Sequence, residues 1–212
     1  MGYESPMPVQ EEVIPFLLGD DNDVIALAQT GTGKTAAFGL PILQKIDVTT
    51  YHPQALVLCP TRELCLQIAD DLNDYSKYID NLKVLPVYGG SSIESQIKTL
   101  KRGVHVVVAT PGRLLDLMNR KTVDLSLVKN VIMDEADEML NMGFTDSLAE
   151  VPENRNMLLF SATMPKEIAN ITKKYMKNPK EIVIGNKNEG NKNIRDIYYM
   201  VQARDKYLAL KR

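Results

Sequence analysis

The residues with the clearest chemistry are Ala28-Gln29-Thr30-Gly31-Thr32-Gly33-Lys34-Thr35. Two glycines let the backbone curl so that several N–H groups point at one anion. Lys34 then supplies a mobile cation for the outer phosphates of a nucleoside triphosphate, and the Thr35 hydroxyl is placed for Mg2+. The pattern is that of a phosphate-binding loop, except that Ala28 stands where the general form has its first glycine. A second group, Asp134-Glu135-Ala136-Asp137, follows the apolar run Val131-Ile132-Met133. A strand that ends in paired acids sets a carboxylate at the sheet edge, beside a phosphate loop of the same sheet. There Asp134 is suited to hold Mg2+, usually through water, and Glu135 to orient or deprotonate an attacking water. The same acids also suit a solvated helix N-terminus, where carboxylates are favoured anyway. Their pairing with the phosphate loop favours the catalytic assignment: Lys34, Asp134 and Glu135, with Thr35 and Asp134 at the metal.

These side chains need a scaffold. Val24–Ala28 reads as a buried strand, and the residues through about Lys45 carry apolar groups at helical spacing, so the loop lies between strand and helix start. Further candidate strands are Ala55–Cys59, Lys83–Val87, His105–Ala109, Val128–Met133, Met157–Phe160 and Glu181–Ile184. They are rich in Val, Ile and Leu without strict alternation, as expected when both sheet faces are covered. Leu64, Ile68 and Leu72 share one helix face, and Ile93, Ile97 and Leu100 another. Ser91-x-x-Glu94 reads as a capping box for the second of these helices, and Gly103 as its stop. Alternating strands and helices predict an α/β fold: a doubly wound, mostly parallel sheet with helices on both faces. Residues 1–184 form that domain; 185–195 read as a polar linker, and 196–212 as a strand (Ile197–Gln202) and helix start (Ala203–Arg212) of a second, truncated domain.

A net charge of −2 over 212 residues argues against holding nucleic acid by bulk attraction, so any such contact rests on a few aimed donors. No apolar run reaches the roughly 18 residues of a membrane span, and the N-terminus has no basic start or apolar block of a signal peptide. Cys59, Cys65, His52 and His105 lack zinc-site spacing, and the cysteines read as buried free thiols in a reducing, cytoplasmic setting.

The phosphate loop followed by Asp-Glu-Ala-Asp resembles the DEAD-box ATP-dependent RNA helicases. Further stretches match in order: Pro60-Thr61-Arg62-Glu63-Leu64, Gly89-Gly90, Thr110-Pro111-Gly112-Arg113 and Ser161-Ala162-Thr163. The opening Gly2-Tyr3-Glu4-Ser5-Pro6-Met7-Pro8-Val9-Gln10 resembles the family's adenine-reading Q motif, and alanine is usual in the family at the place of Ala28. The match runs from residue 2 to about 184, one RecA-like domain.

The resemblance implies ATP as the nucleotide, bound by Tyr3, Gln10, Thr30, Gly31, Thr32, Gly33, Lys34 and Thr35. It implies RNA-backbone contacts by Thr61, Arg62, Gly90, Thr110, Gly112 and Arg113, tolerant of sequence because backbone contacts carry none. Asp137, Ser161 and Thr163 are implied to couple the ATP state to strand separation. Taken singly, Arg62 and Arg113 read more readily as helix-surface salt-bridge residues, and only the combination of motifs raises them; Ser161 or Thr163 also reads as a helix N-cap before Pro165. The implied activity is RNA-stimulated ATP hydrolysis coupled to local separation of short duplexes, in concert with a second RecA-like domain of the same chain. The alternative is an ATP-gated RNA clamp or scaffold with little unwinding. Two departures stand out. The stretch from Gly143 to Pro152 is shorter than the family's, and the arginine-bearing motifs of the other RecA-like domain are absent, so weak ATP binding and slow hydrolysis are expected.

Overall fold

In the computed structural model, residues 4–19, 22–140, 142, 144–149, 151–185 and 200–211 are described. Seven short strands carry the fold: β1 (Val24–Leu27), β2 (Ala55–Leu58), β3 (Val84–Val87), β4 (Val106–Ala109), β5 (Asn130–Met133), β6 (Asn156–Ser161) and β7 (Lys180–Val183). All pair in parallel, in the order β3-β4-β2-β5-β6-β1-β7. β1, β2, β4 and β5 are buried at every position, which explains why none of them alternates in sequence.

The pleat sends alternate residues into two separate cores. Val24, Ala26, Val57, Ile132 and Phe160 pack on one face with Val9 and Val13 of α1 (Pro8–Gly19), Phe38 of α2 (Lys34–Lys45) and Ile68 of α3 (Arg62–Tyr75). Ile25, Leu27, Leu56, Val131 and Leu159 face the other layer. There they meet α4 (Ile93–Lys101), α5 (Pro111–Asn119), α6 (Phe144–Ala149) and α7 (Lys166–Tyr175) through Ile97, Leu114, Phe144 and Ile168. The sheet is doubly wound, as read from sequence.

Three local expectations change. Ser92, not Ser91, caps α4: its hydroxyl accepts the Ser95 N–H at 3.2 Å and donates to Glu94 at 3.0 Å. Ser91 is drawn away because its hydroxyl donates to the Tyr88 carbonyl and accepts from the Gln96 amide. The stop holds: Gly103 sits at φ 87° with its N–H on Leu100 O. Neither Ser161 nor Thr163 caps α7, since Ser161 ends β6 and Pro165 occupies the cap position without a side-chain bond. Residues 200–202 are not in a strand, and the rest of the expected strand and most of the linker lie outside the described residues. A 3-10 turn at Ala203–Asp205 leads into α8 (Lys206–Leu210), in agreement with the expected helix start.

One buried acid ties the sheet's N-terminal edge together. Asp23, just ahead of β1, accepts the Met157 N–H at 2.7 Å and the Lys177 N–H with its other oxygen. Both cysteines are buried and free.

Candidate nucleotide and nucleic-acid site

β1 delivers the chain to the C-terminal edge of the sheet, where residues 28–33 turn back into α2 at Lys34. Gly31 and Gly33 have φ of 79° and 83°, a region that side chains disfavour. At Gly33 an added Cβ would also stand 2.5 Å from Gln10 Nε2 and push that amide off its place on the loop. Gln10 reaches the loop from α1: its Nε2 donates to Gly33 O at 3.2 Å, and its Oε1 accepts the Met7 N–H at 2.9 Å. Gln10 and the glycine loop are therefore one bonded unit. Thr32 steadies the turn by donating its hydroxyl to Gln29 O at 2.7 Å. Tyr3 lies outside the described residues.

Lys34 is buried, and its Nζ lies 2.7 Å from Glu135 Oε1 and 3.6 Å from Asp134 Oδ1. The Thr30 hydroxyl donates to the same Glu135 oxygen at 3.4 Å. Glu135 itself has φ 50°, a left-handed conformation that costs on the order of 1 kcal/mol or more for a residue with a Cβ. Burial pushes the Asp134 carboxyl from 3.8 up to about 6, despite the opposing pull of Lys34, and the Glu135 charge adds to the rise. One ammonium thus holds two crowded, desolvated acids. Thr35 follows Lys34 in the first turn of α2.

Hard oxygen donors from Asp134 and Thr35 fit Mg2+, which keeps waters and substrate phosphates in its shell instead of a full protein cage. Among the described residues no group of three or more His, Cys, Asp or Glu is placed to hold a metal ion.

From β6, Thr163 reaches the acidic segment. Its N–H and hydroxyl donate to Asp137 Oδ2 at 3.1 and 2.6 Å. The other Asp137 oxygen and the Ser161 hydroxyl are buried without a protein partner. Thr163 meets the acids as expected, while Ser161 lies at the same edge without touching them.

The loops after β2, β3 and β4 converge further along the edge. Thr61 caps α3, its hydroxyl accepting the Leu64 N–H at 3.2 Å, so that oxygen serves the helix. Arg62 is exposed, with its guanidinium 4.9 Å from the centre of the Tyr88 ring. It also borders Gly90, where an added Cβ would lie 3.3 Å from Arg62 Nη1. Arg113 donates to Gln96 Oε1 at 2.9 Å and Ser91 O at 3.1 Å, bracing the neighbouring loop. Gln96 in turn donates to Tyr88 O and Ser91 Oγ. Thr110 is the N-cap of α5 with no side-chain bond into that helix, and Gly112 is exposed beside it. Tyr88 and Gln96 were not legible as site residues; the only signal was an aromatic directly before Gly89-Gly90.

Comparison with known proteins shows the family of the chain and its fold. The DEAD/DEAH box helicase family model matches residues 7–171. The "ATP-dependent RNA helicase DeaD" of Mycobacterium tuberculosis is 51% identical over 95% of this chain and 36% of its own length. The protein of that name from Escherichia coli K12 is 46% identical over 100% of this chain and 34% of its own. A solved DEAD box protein from Methanococcus jannaschii superposes with a TM-score of 0.82 at 43% identity, covering 99% of this chain and 57% of that one. The chain spans about a third of the length of these curated relatives, by the shares of 36% and 34%.

Proposed function

Because this chain belongs to the DEAD/DEAH box helicase family, we propose that it is the N-terminal RecA-like domain of an ATP-dependent RNA helicase. Residues 1–184 are the ATP-binding domain in this proposal, 185–195 the link, and 196–212 the start of a second RecA-like domain. The observation that carries it is the Lys34 ammonium at 2.7 Å from Glu135 and 3.6 Å from Asp134, which joins loop cation and acids at one buried point.

The chemistry follows from that contact. The triphosphate lies in the loop of Thr30–Thr35, where main-chain N–H groups and Lys34 offset its charge. Its oxygens compete with Glu135 for the ammonium, and Glu135, once released, orients water toward the terminal phosphorus or takes its proton. Thr35 and Asp134 would hold Mg2+, which would supply positive charge to the phosphate groups. Gln10 reads the adenine with the one amide hydrogen and one lone pair left over from Gly33 and Met7, and the family resemblance adds Tyr3 to the ATP-binding residues.

RNA runs over the loops of Thr61, Arg62, Gly90, Thr110, Gly112 and Arg113. A handful of donors there suits a chain of net charge −2. Asp137, Thr163 and Ser161 link that strip to the nucleotide. Arginines of the second RecA-like domain complete the charge stabilisation, so turnover by these 212 residues alone is slow. No helix among the described residues is long and apolar enough to cross a membrane, and the buried free thiols suit a cytoplasmic setting.

ATP turnover with RNA, with DNA and with neither, in a chain that includes the second domain, tests the proposal. Stimulation by RNA alone supports it, and tight ATP-dependent RNA binding without turnover favours the clamp. Lys34→Ala loses nucleotide binding, and Glu135→Gln retains it while losing hydrolysis. A Glu135→Gln enzyme as active as the parent removes Glu135 from the chemistry.

A further inference from the structure

The edge of the sheet opposite the nucleotide, where the strands begin, has a charge pattern the helicase reading does not use. Lys129 precedes β5, Arg155 precedes β6, and Lys180 opens β7. Two cavities of about 640 and 270 Å3 lie along this edge and share Arg155 as a wall. Among the described residues their linings hold five cations, Lys45, Lys129, Arg155, Lys174 and Lys177, against one acid, Glu153, while Glu150 lies outside the described residues. Asp23 is committed to the Met157 and Lys177 N–H groups, although it and Glu153 offset part of the Arg155 charge, and Asp47 interacts electrostatically with Lys129. Asp20 and Asp21 follow Gly19 in sequence and lie outside the described residues. Arg155 donates to Pro152 O, while its buried Nε has no hydrogen-bond partner. Lys174 stands 4.8 Å from the centre of the Tyr175 ring, an aromatic in the wall of the smaller cavity.

Resting on the helicase reading, we infer that this edge is a second contact for the phosphate backbone of single-stranded RNA, remote from the loops of Arg62 and Arg113. The spread of the cations selects a chain over an isolated phosphate. From β5 to β7 is three strand spacings, about 14 Å, longer than one phosphate group and comparable to two successive phosphodiesters. Exposed lysines act as backbone counter-charges, Arg155 as a donor fork, and Tyr175 as a surface for a base. Such contacts are sequence-independent and confined to one edge, which reconciles them with a net charge of −2.

The test uses the 212-residue chain and the triple charge reversal Lys129→Glu/Lys174→Glu/Lys177→Glu, all at exposed positions. Anisotropy titrations with labelled single-stranded RNA of about 8 nucleotides, which the Arg62 edge alone can hold, and of about 30, which can reach both edges, separate the two contacts. The expected result is a loss of about tenfold in affinity for the long RNA and a salt slope shallower by about 2, with the short RNA unchanged. Arg62→Ala/Arg113→Ala weakens both lengths, which checks the helicase reading independently. Equal binding of the long RNA by parent and triple variant overturns this inference alone; failure of the parent to bind either RNA overturns the helicase reading and this inference with it. Protection of these lysines from acetylation by tripolyphosphate or polyglutamate, but not by RNA, overturns it in favour of a small-anion or acidic-protein site. A circular dichroism spectrum matching the parent's excludes misfolding as the source of any loss.

Discussion

Replacing Lys34 by methionine removes the cation that Asp134 and Glu135 share at 3.6 and 2.7 Å while keeping most of its volume. Taking one partner from a buried ion pair costs about 3–5 kcal/mol, because the charges left behind stay out of water. For a domain of this size each kcal/mol moves Tm by about 2–4 °C, so the nucleotide-free variant should melt roughly 6–20 °C below the parent at about pH 8. The loss depends on pH with a definite sign. Burial already holds Asp134 at about 6 against 3.8 in the unfolded chain, and Lys34 is what pulls it down. Without Lys34 the folded value rises further. A folded value above the unfolded one favours the native state at low pH and loses that advantage as pH climbs through the folded value. The share of the deficit that Asp134 carries should therefore be small near about pH 5 and full near about pH 8. Thermal unfolding in EDTA across that range measures it. Adding Glu135→Gln removes one stranded acid and should recover part of the loss, with a coupling of about 1–3 kcal/mol in the double-mutant cycle. A deficit equal at both ends of the range, or none at the alkaline end, refutes the picture of two acids restrained by one ammonium.

Two further substitutions address recognition and coupling. Gln10→Ala cuts the bonds to Met7 N and Gly33 O, at about 1 kcal/mol each, and should bring the ATP-over-GTP preference close to unity. An undiminished preference in nucleotide competition would remove Gln10 from base reading. Thr163→Val deletes the hydroxyl 2.6 Å from Asp137 while leaving the N–H contact. In a chain with both RecA-like domains, ATP hydrolysis should persist while duplex separation falls about tenfold or more. Equal loss of both would make Thr163 part of the hydrolytic machinery instead of its link to RNA.

Features that depend on a few adjacent residues were legible in the chain. Gly31 and Gly33 announce a left-handed turn whatever lies around them, and β1, β2 and β4 announce burial on both faces by lacking alternation. Caps are local too, yet Ser91 and Ser92 are equivalent by composition, and only the reach of Gln96 back to Tyr88 O and Ser91 Oγ decides between them. Arg113 reads from sequence as an RNA-backbone contact or a helix-surface salt-bridge residue, and in the fold its guanidinium braces the loop that carries Ser91. Asp23 reads as one acid in a polar stretch, and its two bonds to Met157 and Lys177 exist because β1 lies between β6 and β7. The same dependence governs the contact of Lys34 with Glu135. Lys34 and Glu135 are 101 residues apart and come within 2.7 Å because the strands that deliver them, β1 and β5, have β6 between them. Residue types name the partners, and strand order alone brings ammonium and carboxylate together before any nucleotide arrives.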